Sequence, residues 1–244
     1  MKLRYKKALI LITICTMLIG GITILIIPNH HSKESMKYTK SSNKVTVTAN
    51  PSPATDPNLI ITPSLTPTSL PVYNLETEGY PEITKLMEAY YKAKLSFDIP
   101  ELKNLLSNPS DVGTKEELKE KFQYFEKINH MKCYVKKSFR QGEYVVYVYN
   151  EVKFINIKTP APAVYQFYLI TDSNGNLKIL SGEFDEVTAQ YYNARKKDSD
   201  VQALIKETNK KADTAKKKDK KLKSFWNNLI KAQTMEQSYD TKKS

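Results

Sequence analysis

The sequence predicts an α+β domain carried behind a membrane anchor. Three observations predict it: an uncharged apolar run near the N-terminus, helical apolar spacing with cap residues between residues 80 and 125, and alternating tyrosine-rich segments between residues 131 and 180. The length of 244 residues suits one domain of ordinary size plus extensions. Two cysteines exclude a disulfide framework or a cysteine-rich zinc module, and three histidines leave little for a metal site.

The anchor comes first. Residues 8–27 read ALILITICTMLIGGITILII, with no charge. At about 1.5 Å rise per residue the run spans ~30 Å, the thickness of a bilayer core. Lys2, Arg4, Lys6 and Lys7 make residues 1–7 a basic flank that stays cytoplasmic, which places the rest of the chain outside the cell membrane. No small-residue cleavage site follows Ile27, and bulky Ile14 before Cys15 argues against a lipoprotein site, so an uncleaved single-pass signal anchor is expected.

Residues 28–74 hold seven of the twelve prolines and many Ser, Thr and Asn. Such a segment buries too little apolar surface to offset its ordering entropy, so a disordered stalk is expected. As a flexible coil its ends lie ~40 Å apart. His30 and His31 sit in it and read as solvated.

Residues 75–194 read as the folded domain. A first helix runs from about Tyr80 to Ser96, with Pro81 in its first turn and Ile83, Leu86, Met87 and Tyr90 near helical spacing. Asp98 caps a short second helix through Leu106, and Thr114 with Glu117 forms a capping-box pattern for a third, striped by Leu118, Phe122 and Phe125. Strands follow over Met131–Phe139, Glu143–Phe154 and Val164–Thr171. Asn174-Gly175 is a hairpin signal, and Leu177–Leu180 returns. The second strand carries Tyr144, Val146, Val148, Val152 and Phe154 on one face, and Val145, Tyr147, Tyr149, Glu151 and Lys153 on the other.

Three helices followed by an antiparallel meander, with the segments YYKAKLSFDIPELKNLL and YVVYVYNEVKF, resemble the nuclear transport factor 2-like (SnoaL-like) fold over residues 78–192. The same segments resemble membrane-anchored proteins of Gram-positive (Firmicutes) bacteria. The resemblance implies a cone in which a curved sheet wraps the first helix and leaves a pocket at the wide end. It also implies a possible homodimer through the sheet. Enzymes of this fold pair a carboxylate with a His or Tyr in the pocket. A small isomerase or cyclase is therefore one expectation, and a scaffold of a secretion or conjugation channel is another.

Tyr147, Tyr149 and Glu151 share a strand face and are the candidate pocket wall for ligand or acid/base work. The competing reading leaves this face half exposed, with Glu151 solvated, and it is preferred. His130 reads as structural, and Cys133 as a buried inert thiol. There is no G-x-S-x-G, P-loop or zinc spacing, so no cofactor, metal or catalytic residue is expected.

The net charge of +12 divides unevenly: about +4 in residues 1–7, +2 in the stalk, −2 in the domain and +8 in residues 195–244. Val187–Ala194 reads as a closing helix, and Ser199 or Asp200 as the cap of a longer one. Val201, Thr208, Ala215, Leu222 and Leu229 recur every seven residues, with Ile205, Ala212 and Trp226 between them. Asp219 would cap a second short helix. This basic extension with a frayed end reads as a helical appendage packed on the domain, as a surface-binding helix, or as a partner-docking helix. In the second reading Lys217, Lys220, Lys221, Lys223, Phe225 and Trp226 meet anionic envelope polymers or lipids. Nucleic acid ranks last, because the topology places the tail outside the cell. The expected function is a non-catalytic, extracytoplasmic binding or scaffold module of the cell envelope.

Overall fold

The computed structural model describes residues 70–240, with side chains through Lys231. The predicted flank, the anchor at 8–27 and the stalk to residue 69 lie outside the described residues. Among the described residues no helix is long and apolar enough to cross a membrane.

The chain is α+β. Helix α1, Pro81–Ser96, starts on Pro81 and ends where Phe97 turns left-handed (φ 57°) and the Asp98 N–H donates to the Ala93 carbonyl. Its buried face is Ile83, Leu86, Met87, Tyr90 and Ala93, the stripe that the spacing predicts. Helix α2, Ile99–Leu105, is capped by Asp98, which accepts from the Glu101 N–H. A 3-10 turn, Pro109–Val112, was not expected from the sequence. Helix α3, Lys115–Phe122, carries the Thr114–Glu117 capping box.

Four antiparallel strands follow in the order β1-β2-β3-β4: Phe125–Lys137, Tyr144–Phe154, Ala161–Thr171 and Leu177–Ile179. Gly142 (φ 76°) turns β1 into β2 and receives a hydrogen bond from Thr171 Oγ1 on its carbonyl. Asp172 accepts from the Asn174 and Asn176 N–H groups to close the β3–β4 hairpin. Strand β1 begins six residues earlier than the alternation indicates. Glu126, Lys127, Asn129 and His130 mask it, and a register shift between Asn129 and Lys132 breaks the period.

Helices α4 (Glu186–Arg195), α5 (Ser199–Lys218) and α6 (Lys220–Asp240) complete the chain. Asp185 caps α4 through the Thr188 N–H. The residue flanking α5 is Asp198 rather than Ser199 or Asp200, and its carboxylate serves an ion pair instead of the helix N–H groups. Asp219 caps α6, as expected, by accepting from the Lys221 and Leu222 N–H groups.

The sheet is covered on both faces. Its inner face, with Cys133, Val135, Val146, Val148, Leu169 and Ile179, packs on α1 and α2. Its outer face, with Val145, Tyr147, Val164 and Tyr168, packs on Tyr191 of α4 and on Val201, Leu204 and Ile205 of α5. Each of those three aliphatic side chains contributes about 1.5–3 kcal/mol of burial. A third cluster joins Val152, Phe154, Ile157 and Ala161 to Ala215, Leu222 and Trp226. The seven-residue seam of the basic tail is therefore spent on the chain's own sheet.

The last residues assigned to the stalk are tied down. Tyr191 Oη donates to the Pro71 carbonyl (3.0 Å), the Leu75 N–H to Asp200 Oδ2 (2.8 Å), and Glu76 makes a two-way backbone bridge to Val135.

Candidate functional site

A cavity of about 760 Å³ lies between α1, α2, α3 and the inner face of the sheet and runs past β3 and the loop at Ser181 to Tyr192 and Lys196 at the end of α4. Strand length leaves it room. β4 is three residues long and pairs only with Leu169, Ile170 and Thr171. The inner-face residues Tyr165 and Phe167, further along β3, pair with β2 but have no strand on the β4 side, and their rings line the cavity. Tyr90 and Tyr91 of α1 meet these rings edge-on or tilted, at centroid distances of 5.6–6.5 Å.

The polar inventory is small and unusual. Asn150 of β2 stands between Val148 and Val152 on the inner face, has no solvent exposure and lines the cavity. Neither its amide nitrogen nor its oxygen has a hydrogen-bond partner, and the buried Tyr91 hydroxyl has none either. Burial, more than the nearby Tyr165 and Tyr90 rings, holds the Tyr91 phenol well above its ordinary titration range. Asn150 pulls weakly the other way, though no hydrogen bond of sound geometry joins the two. Burial likewise pushes the Tyr165 phenol up. Both phenols are neutral donors at any physiological pH. A buried amide group left unpaired costs on the order of 1–3 kcal/mol.

Lys94, Lys121 and Lys196 are half-buried and also line the cavity. Among the described residues none has a carboxylate oxygen within 4.0 Å. Lys94 Nζ instead lies 4.4 Å from the Tyr90 ring centre and 5.4 Å from that of Phe122. Burial lowers the titration of Lys196. The one carboxylate in the lining is the exposed Asp111, on the 3-10 turn beside Gly182.

The expected wall residues are elsewhere. Tyr147, Tyr149 and Glu151 occupy the outer face and do not line this cavity, because the strand period turns them away from Asn150. Tyr147 is 2% exposed beneath α5, its hydroxyl unpartnered, and burial raises its titration strongly. Tyr149 does meet Glu151, donating to Oε1 over 3.0 Å, and His130 Nδ1 lies 2.8 Å from Glu151 Oε2. His130 holds a left-handed backbone (φ 49°) within β1 and is exposed, so this row runs from Tyr149, buried beneath Lys211 of α5, to the surface at His130. Among the described residues no three His, Cys, Asp or Glu side chains group to hold a metal ion.

The expected surface helix is also reorganised. Lys217, Lys220, Lys221 and Lys223 are exposed. Trp226 is 6% exposed and packs in the third cluster, where Phe225 stacks at 4.7 Å on Phe154 and 5.9 Å on Tyr124. The two aromatic residues are thus committed to the fold rather than presented outward. Cys133 is buried as expected, and burial pushes its thiol up to about 11.

Asn150 and Tyr91 are absent from the sequence-derived candidates. The available signal was the one polar residue in the otherwise apolar 144–154 face. Comparison with protein-family models, curated proteins and solved structures finds no match.

Proposed function

We propose that this chain is a non-catalytic binding module, held on the outer side of a cell membrane by residues 8–27, which takes a small ligand in the cavity above Asn150. The observation that carries the reading is the unpaired Asn150 amide, fully buried in the wall of a cavity of about 760 Å³. Binding rather than turnover is favoured by the lining: its carboxylate is the exposed Asp111, and its phenols are held neutral. The element order supports a nuclear transport factor 2-like cone, with the cavity at the place where such a cone is hollow. The uncharged run at 8–27 and its basic flank support the anchor and the extracytoplasmic side.

The test is native mass spectrometry of the full chain purified from membranes. A co-purifying small molecule is expected on the wild type and absent from Asn150→Leu. A ligand that persists on Asn150→Leu would overturn the site. Protease added outside intact cells should remove the 70–240 domain; its protection would overturn the topology.

A further inference from the structure

The cavity carries a second unmet requirement besides the Asn150 amide. Three half-buried lysines line it without a carboxylate nearby, and the lining offers one exposed aspartate against them. Set among aromatic faces, with one exposed carboxylate in the lining, the three ammonium groups give the cavity a positive field. Lys94 lies three residues after Tyr91 on α1, which puts both on one helix face about one turn apart. Lys121 of α3 lines the same cavity as Phe122, whose ring Lys94 covers, so both lysines bring positive charge to it. From Asn150 and Tyr91 to Lys94 and Lys121, the lining changes from neutral donors and acceptors, past the rings of Tyr90 and Phe122, to unpaired positive charge.

We infer that the ligand is an amphiphilic anion. Its apolar body lies against Tyr90, Phe122 and Phe167. A neutral polar group meets Asn150 and Tyr91, and a carboxylate or phosphate head sits by Lys94 and Lys121. This rests on the binding reading above and narrows it to a chemical class. A neutral ligand would leave the lysines uncompensated, and a cationic one would be repelled by them.

The test uses three probes with one body and different heads: 4-phenylbutyrate, 4-phenylbutan-1-ol and 4-phenylbutylamine. Each is titrated calorimetrically into the full chain held in phosphatidylcholine nanodiscs, with empty nanodiscs as the blank. The butyrate should bind at least about tenfold tighter than the alcohol, as a charge-assisted contact requires, with the amine weakest. In the Lys94→Gln/Lys121→Gln variant the butyrate should fall to the level of the alcohol, with a Tm and circular dichroism spectrum like those of the wild type showing that the variant is folded. Separate dodecanoate and dodecyl phosphate titrations identify the preferred head. Equal binding of alcohol and butyrate, or a preference that survives the double substitution, overturns the anionic ligand and leaves the binding module standing. Failure of all three probes to bind overturns the cavity reading itself.

Discussion

Lys136 of β1 donates to Asp200, at the start of α5, over 2.7 Å, although the lysine side chain is only 1% exposed. The same ammonium reaches Asp198 over 2.7 Å, and Arg195 Nε lies 3.1 Å from the same Asp198 oxygen as an ion pair. The second oxygen of Asp200 takes the Leu75 N–H. One buried cation therefore joins the sheet, the α4–α5 junction and the point where the stalk meets the domain. Removing it leaves two carboxylates facing apolar surroundings. Lys136→Ala should cost about 2–3 kcal/mol in urea unfolding, the usual cost of breaking a buried pair, discounted because both aspartates keep some exposure. Lys136→Met combined with Asp198→Asn and Asp200→Asn should recover most of it.

The same network sets an acid limit. Burial pushes the Asp200 carboxyl up, but hydrogen bonds from Lys136 and from the Leu75 and Val201 N–H groups together outweigh it and hold the group below its ordinary range. A depressed carboxyl stabilises the fold at pH above its unfolded value of about 3.9, and that contribution is lost as pH falls through the folded value. Urea midpoints should therefore drop below about pH 4, and Asp200→Asn should flatten that drop. An equal slope in both proteins would contradict the assignment.

Trp226 is the only tryptophan in the chain and belongs to the cluster around Val152, Phe154 and Leu222. Trp226→Ala should cost about 3–4 kcal/mol, a large-to-small change in a packed site. The four exposed lysines of the same region should not matter to stability. Any attraction to anionic vesicles should vanish at high salt and leave Trp226 emission unmoved, because the ring is held inside the domain. A blue shift on vesicle binding would show instead that α6 leaves the sheet to insert.

Cap chemistry made much of the fold legible. Asp98, Thr114 with Glu117, and Asp219 each announce a helix start, and each does cap one. Strand β2 is legible from its alternation. The site is less so, for a physical reason. Both faces of β2 are buried, so apolar character could not tell which face looks into the cavity, and the tyrosines mark the other one. Asn150 left its mark only as a gap in the apolar face. The tail was open between its readings for a related reason: a seven-residue seam records that a face is buried and is silent about whether a sheet, a partner or a membrane buries it, and the structure packs it on the sheet.

Cys133 lies on the inner face of β1, with its thiol pushed up to about 11 by burial. In a Cys15→Ser background, Ellman's reagent at pH 8 should leave the thiol unmodified until urea unfolds the domain. Fast labelling of the folded protein would mean that the β1 region opens locally at low cost.

Asn150 supplies the sharpest contrast between stability and function. An apolar side chain of similar size at this position removes two unsatisfied buried groups and adds contacts to Val148 and Val152 on the same face. Asn150→Leu should therefore stabilise the ligand-free fold by about 1–2 kcal/mol, raising its Tm by a few degrees, while abolishing the polar contact to the ligand. Asn150→Asp would bring a carboxylate into a fully buried position and should lower Tm instead. If Asn150→Leu destabilises the ligand-free protein, then an ordered water or an inner hydrogen bond satisfies the amide, and Asn150 is an element of the core. If it stabilises the protein and binding is lost, the amide is kept at a cost to the fold, and the ligand is the reason it is kept.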